Sequence, residues 1–244
     1  MSVFQLNEWW GVQVASTEEF DLGGLCIGNV DNSVPPADKI VVGSLEGMIR
    51  IYNPTKPLYR IEDLILEESL GAPVLQLLLG RFIPSSEGVG LAVLHPRKLV
   101  VYEISPHGKT QRNRLRFIFP LDAKCVAVSP FEYAGQVDGK ANYHVMRKAY
   151  EHVLGVEGKH FTAYNMTSGS FGGARGRDMF MVQSLDGKLQ IFEQSANAFT
   201  RQLMDCLLPG PMAYLPRLDA FVSTNYACQA ECYRYQVRLA THPH

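Results

Sequence analysis

The residues best placed to do chemistry in this 244-residue chain lie in one short polar loop, Asn29-x-Asp31-x-Ser33, followed by Asp38. Oxygens at alternating positions suit Ca²⁺, which takes about six to eight hard oxygen ligands. Three features oppose that reading. The fifth loop position is Ser33 rather than a carboxylate, Pro35-Pro36 interrupts the expected glycine turn, and no other part of the chain carries a matching acidic loop. A polar turn closed by side-chain-to-backbone bonds is the plainer expectation.

Other reactive residues form no set. Cys228 and Cys232 share strand parity, with Cys206 upstream, but no Cys/His group completes the four ligands of a structural zinc site, so they read as buried core thiols. With Cys26 and Cys125 they make an odd, scattered five, the pattern of reduced intracellular thiols. Gly169, Gly172, Gly173 and Gly176 suggest a phosphate loop, yet no Gly-Lys-Ser/Thr follows and the segment leads into a strand. A tight internal turn is expected there. The histidines (His95, His107, His144, His152, His160, His242 and His244) are dispersed, and neither a Gly-x-Ser-x-Gly elbow nor a His-Glu-x-x-His pair accompanies them. The expectation is a non-enzyme without catalytic, cofactor-binding or metal-ligating residues and without cofactors. Lys109, Arg112, Arg114 and Arg116 form a small basic cluster, read as a solvated loop or as a contact for acidic headgroups or an acidic partner.

Composition narrows the partners. Net charge is -1 and 19% of residues are charged, which argues against a nucleic-acid binder, since that needs a cationic surface. A hydrophobic content of 46% is ample for a core. No run approaches the roughly 20 apolar residues of a membrane span. The start, MSVFQLNEWWGVQ, lacks the basic and apolar regions of a secretory signal. A cytoplasmic protein is expected, in which the sequon Asn165-Met166-Thr167 would be idle. Trp9, Trp10 and Phe20 are too apolar for a free tail and should pack onto the domain or serve as interface anchors.

The elements that must carry these residues are strands. KIVVG (39–43), a turn through Ser44-Leu45-Glu46-Gly47 and MIRIY (48–52) make a hairpin with Arg50 facing outward between Ile49 and Ile51. DMFMV (178–182), Gln183 to Gly187 and KLQIF (188–192) repeat its layout, and the turn glycine falls nine residues after the opening aspartate in both. Gly90–Leu94 with Leu99–Tyr102 is a third copy, and Asp219–Thr224 with Glu231–Val237 a looser fourth. Another apolar segment precedes each hairpin: 24–30, 73–80, 161–166 and 211–215. An inner strand, a hairpin and an outer strand recurring about every 40–50 residues is the pattern of propeller blades. The fold class expected is an all-β, WD-like β-propeller over residues 1–244, with blade units near 24–53, 73–104, 161–193 and 211–237. Residues 105–160 are read as an irregular insertion, with strand character at 117–119 or 124–128 and helical character in HVMRKAYEHVL; a degenerate fifth blade there is the alternative. Because the sequence stops soon after the fourth unit, a partial propeller of about four blades is expected.

A resemblance rests on longer stretches. Glu8-Trp9-Trp10, Glu18-Glu19-Phe20-Asp21, NVDNS (29–33), DKIVVGS (38–44), PVLQ (73–76), LAVLH (91–95), NMTSGSFGGARGRD (165–178), 183–194 and LLPGPMAY (207–214) run collinear with one family. On these residues the chain resembles the N-terminal propeller of the Bardet–Biedl syndrome protein 9 family. The resemblance implies a scaffold subunit of the BBSome, a coat-like complex that moves membrane proteins to and from cilia. It also implies protein–protein contacts with other BBSome subunits, peripheral membrane association through the assembled complex, and a place at the cilium, basal body and centriolar region. It implies neither nucleic acid nor a small-molecule substrate. The readings weighed beside it are another coat or nuclear-pore scaffold of WD-like type, and a calcium-dependent ligand-binding or adhesion propeller.

Overall fold

The repeated hairpins become equivalent sheets in the computed structural model, which describes residues 7–84, 86–106, 144–155, 162–194, 196–203, 210–225 and 227–234. Blade 1 holds β1 (Leu25–Gly28), β2 (Lys39–Gly43), β3 (Met48–Tyr52) and β4 (Leu64–Ser69). Blade 2 holds β5 (Gln76–Gly80), β6 (Gly90–Leu94), β7 (Lys98–Pro106) and β8 (His144–Val153). Blade 3 holds β9 (Ala163–Gly169), β10 (Met179–Ser184), β11 (Lys188–Glu193) and β12 (Ala196–Gln202). In blade 4 the described strands are β13 (Met212–Leu215), β14 (Ala220–Thr224) and β15 (Ala230–Arg234).

Within each sheet the spatial order is the chain order and every pairing is antiparallel, so the sheets are meanders arranged as the blades of a propeller. The two matched hairpins occupy equivalent places. Val41 pairs with Ile51 on β2–β3, and Met181 with Ile191 on β10–β11. Both turns close on a glycine in the left-handed region, Gly47 at φ 87° and Gly187 at φ 80°, where an L side chain would be strained. Among the described residues no helix is long and apolar enough to cross a membrane.

Packing explains the apolar runs. Side chains alternate across a strand, so β6 sends Leu91 and Val93 into a core shared with Val41, Ile49 and Ile51 of blade 1. Its Ala92 and Leu94 enter a second core with Met166, Phe180 and Val182 of blade 3. β10 does the same one blade along: Phe180 and Val182 face blade 2, while Met179 and Met181 meet Phe221, Met212 and Tyr214 of blade 4. Middle strands buried on both faces place apolar side chains on both, which is why GLAVL and MFMV are continuous rather than alternating, with the buried Gln183 and Ser184 following only at the turn end of β10. Each large side chain buried this way contributes about 1.5–3 kcal/mol.

The inner strands are joined differently. Gly23 bridges Gln76 in parallel, and Leu77 N–H donates to Gly23 O at 2.8 Å. Between blades 2 and 3 the Gln76 amide takes over. Its Nε2 donates to Met166 O at 2.9 Å, and its Oε1 accepts from Met166 N–H at 2.7 Å. Between blades 3 and 4, Asn165 Nδ2 donates to Gly210 O at 2.7 Å. Gln76 and Asn165 are equivalent positions, each opposite the residue that precedes a hairpin turn, Leu94 and Gln183. Asparagine of the sequon is thus a structural bracket, not a surface group.

One expectation is overturned. The segment 144–153 is not helical; it is the outer strand of blade 2 and pairs with β7 along the whole of its length, from Lys98 opposite Val153 to Pro106 opposite His144. Its inward face is made of His144, Met146, Tyr150 and His152, and all but Met146 are amphipathic side chains that a hydropathy pattern does not count. The segment read as an insertion therefore contributes Ser105–Pro106 to β7 and 144–153 to β8. The strands anticipated at 117–119 and 124–128, and the alternative fifth blade, fall outside the described residues.

Phe180 is fully buried and its ring lies 4.0 Å, centroid to centroid, from that of Phe82 across the blade 2–blade 3 seam. Phe180→Ala is expected to lower the unfolding free energy by about 3–5 kcal/mol, measured by urea denaturation; a loss under about 1 kcal/mol would contradict the tight seam.

Candidate functional site

The 29–39 loop joins β1 to β2, and its oxygens converge on a cation that the chain itself supplies. Strand parity sends Asp38 out to solvent and Lys39 inward. Lys39 Nζ lies 2.5 Å from Asp31 Oδ1, 2.6 Å from Ser33 Oγ and 3.5 Å from Asn29 Oδ1. The Lys39 and Asp31 side chains are only 3% and 4% exposed. The loop is closed locally as well: Ser33 N–H donates to Asn29 Oδ1 and Asp31 Oδ1, and Asn29 Nδ2 donates to Ser33 O. An ammonium thus sits among the oxygens that a calcium ion would have needed, and Asp38 has no part in the cluster.

The same loop reaches across to blade 2. His144 Nε2 donates to Asp31 Oδ2 at 2.8 Å. Asn32, held at φ 53°, offers its amide to Val89, donating to the carbonyl at 3.0 Å and accepting from the N–H at 2.7 Å. Burial alone would raise the Asp31 carboxyl, but hydrogen bonds from Lys39 and His144 and the Lys39 charge hold it below the usual carboxylate range. What this arrangement does is fasten two blades; it presents no free nucleophile, base or open coordination position. The sequence pattern pointed to the loop but not to Lys39, hidden at the head of an apolar strand, nor to His144, 113 residues away.

A second charged cluster secures the N-terminal segment. Arg50 is largely buried rather than solvent-facing. It donates to both Glu18 carboxylate oxygens at 2.8 Å and to Glu67 Oε2 at 3.1 Å. Hydrogen bonding from Arg50 holds the Glu18 carboxyl below its ordinary value. Of the three N-terminal aromatics only Trp10 docks: its Nε1 donates to Asp63 Oδ2 at 2.9 Å, and its ring meets Tyr52 and Tyr59 edge-on. Trp9 and Phe20 are exposed.

The remaining candidates resolve one by one. His95 is buried, with Nδ1 donating to Pro73 O at 2.8 Å. His152 stacks on Phe192 across the next seam and donates from Nε2 to Gln194 O at 2.6 Å. Burial pushes both imidazoles below the ordinary histidine value. The 169–176 glycines form a turn between β9 and β10, with Gly172, Gly173 and Gly176 at positive φ. A Cβ at Gly169 would collide with the Tyr214 ring of blade 4. Cys228 and Cys232 correct the buried-thiol reading: Cys228 lies in the β14–β15 turn at φ 60°, and both are exposed, because their hairpin turns that face outward. Cys26 is half-buried, its thiol pushed up to about 12 by burial. Cys125, Cys206, His107, His160, His242, His244 and the basic cluster 109–116 lie outside the described residues, and among the described ones no group of three or more His, Cys, Asp or Glu is placed to hold a metal.

Residues 1–243 match the family described as PTHB1 N-terminal. Protein PTHB1 of Xenopus laevis is 41% identical over 242 residues, covering 97% of this chain and 25% of the relative. Protein PTHB1 of Homo sapiens is 42% identical over 241 residues, covering 97% and 24%. The chain spans about a quarter of the length of these relatives. Among solved structures, BBS1N crystallised in complex with ARL6DN is similar in fold, with a TM-score of 0.55 at 10% identity, covering 95% of this chain and 62% of that one.

Two outcomes test the site. Lys39→Met leaves the Asp31 carboxylate buried without its cation and should cost about 3–5 kcal/mol, much of it recovered when Asp31 is also made Leu; millimolar calcium should leave the melting temperature of the unaltered protein unchanged. The second is a pH profile. His95 and His152 favour the neutral form when folded, so the unfolded chain takes up protons first as pH falls. Stability should hold above about pH 6.5 and decline below it, with a further loss as Asp31 protonates at more acid pH. Chemical denaturation from pH 8 to 2 reads both steps.

Proposed function

Because the chain belongs to the PTHB1 N-terminal family, we propose that it is the propeller part of a non-enzymatic scaffold subunit of the BBSome, acting in ciliary trafficking through contacts with other proteins. The observation that carries this reading is a 41–42% identity maintained over 97% of the chain with proteins named PTHB1. The site geometry supports it from another side. Among the described residues, three of the ionisable groups that looked chemically active are engaged in joining elements: Asp31 and His144 fasten blade 1 to blade 2, and His152 links blade 2 to blade 3. The related fold of BBS1N was crystallised with a protein partner, ARL6DN, so a propeller of this shape can present its surface to another chain. Residence at the cilium, basal body and centriolar region on the cytoplasmic side follows from that assignment, with membrane association arising through the assembled complex.

The calcium-dependent adhesion reading is disfavoured by the position of Lys39 Nζ, 2.5 Å from Asp31 Oδ1. A cation entering that loop would have to expel a buried ammonium and leave it unpaired.

The full-length protein, tagged and purified from ciliated cells, is expected to bring down the other Bardet–Biedl subunits in stoichiometric amounts and to label the ciliary base. Recovery free of those subunits would overturn the assignment.

A further inference from the structure

We infer that the seam between blades 3 and 4 holds an internal water site, built by Gln183, Asn165 and Ser223. The inference stands apart from the scaffold reading, because it concerns how the sheets are joined and not what they bind. The three side chains share one seam. On β10, Gln183 comes two residues after Met181 and so faces blade 4 with it. Asn165 lies opposite Gln183 in the β9–β10 register and faces the same way. On β14, Ser223 comes two residues after Phe221 and looks back toward blade 3.

The preceding seam shows what is different here. Gly187 N–H donates to Ser184 O and Cys228 N–H to Asn225 O, both at 3.1 Å, so the two turns are equivalent. Ser223 therefore stands where Val182 stands one blade earlier, and Gln183 where Leu94 stands. Leu94 and Val182 lie in an apolar core. Their counterparts are an amide and a hydroxyl, 0% and 2% exposed. Gln183 Nε2 and Oε1, Ser223 Oγ and Asn165 Oδ1 are all buried, and none has a hydrogen-bond partner among the described residues. Buried nitrogen and oxygen atoms are nearly always bonded, to protein or to ordered water.

Size and chemistry select water. Ser223 is one methyl smaller than Val182, and Asn165 is one methylene shorter than Gln76. Gln76 reaches Met166 with both ends of its amide, whereas Asn165 reaches Gly210 O with Nδ2 alone. The sheets are not free to draw together and fill the difference. The 2.7 Å bond from Asn165 to Gly210 sets their spacing at this end, and at the other a Cβ on Gly169 would already strike the Tyr214 ring. Two carbon groups fewer leave space for a water, which takes about 30 Å³ in the liquid. Whichever way the Gln183 amide is turned, it presents one donor and one acceptor. A cation would meet the amide N–H, and an anion would meet the carbonyl oxygens of Gln183 and Asn165. Water donates and accepts, so it suits every group around it.

The test uses the full-length chain and two readouts. A structure at a resolution that shows ordered solvent should contain water within hydrogen-bond distance of Gln183 and Ser223. Absence of that density, or a Gln183 amide bonded to a protein group instead, overturns the site. The second readout is hydrogen exchange of the backbone amides at 180–184 and 221–224. Ser223→Val takes the water's place and strands the amide, so exchange there should quicken about tenfold. Adding Gln183→Leu rebuilds the apolar pair of the preceding seam and should return exchange to the unaltered rate or below it. A single variant that exchanges as slowly as the unaltered chain, or a double variant no slower than the single, contradicts the proposal.

Discussion

A small antiparallel sheet has two faces and cannot bury both by itself. Every other feature of this protein follows from that constraint. Leu91 and Val93 point to one neighbour and Ala92 and Leu94 to the other, so β6 is solvent-free only because sheets stand on both sides of it. β10 repeats the arrangement. The cores are therefore seams between blades, and a blade removed from its neighbours would expose two apolar surfaces at once. Hydrophobic burial is non-directional; the direction comes from the meander, which keeps each sheet narrow and delivers its inner strand to the same place beside the previous one.

Polar groups at the seams supply the registration that apolar contact lacks. Asp31, Lys39 and His144 form a buried cluster that spans blades 1 and 2, and His152 lies on Phe192 between blades 2 and 3. Buried charges are costly unless paired; Lys39 pairs with Asp31 inside the β1–β2 connection, and His144 of β8 ties that pair to blade 2. Among the described residues, Asp31, His144 and His152 serve to join one blade to the next.

The hairpins at 38–52 and 178–192 were legible because apolar runs, a glycine at the same turn offset and an equal interval agree in both, whereas the copies at 90–102 and 219–237 lack the turn glycine and were read from apolar runs and spacing. Residues 38–52 and 178–192 share register as well as pattern. β8 was not legible, because His144, Tyr150 and His152 bury their rings while keeping polar atoms, and a face on which Met146 is the one plainly apolar side chain has no period on a hydropathy scale. Lys39 was missed for a related reason. Nothing local distinguishes an ammonium that turns inward from one that stays in water; the difference lies in Asp31 and Ser33, whose positions depend on the loop. Arg50 likewise became buried only because Glu18, from a segment with no strand signal, folds over it. The docking residues of the N-terminal segment were visible as aromatic, but which of Trp9 and Trp10 turns inward depends on Asp63, which no spacing rule connects to them.

The brackets from Gln76 and Asn165 have a consequence for how such a ring is allowed to vary. A continuous backbone ladder around the hub would fix the angle between successive sheets. An amide at the end of a rotatable stem fixes only a distance, so the blade 2–blade 3 and blade 3–blade 4 junctions can change their angle without losing these hydrogen bonds, while the backbone bridge of Gly23 to Gln76 holds blade 1 to blade 2 more stiffly. The spacing of successive sheets is then held at these two junctions while their tilt is left free to follow the packing of the apolar seams.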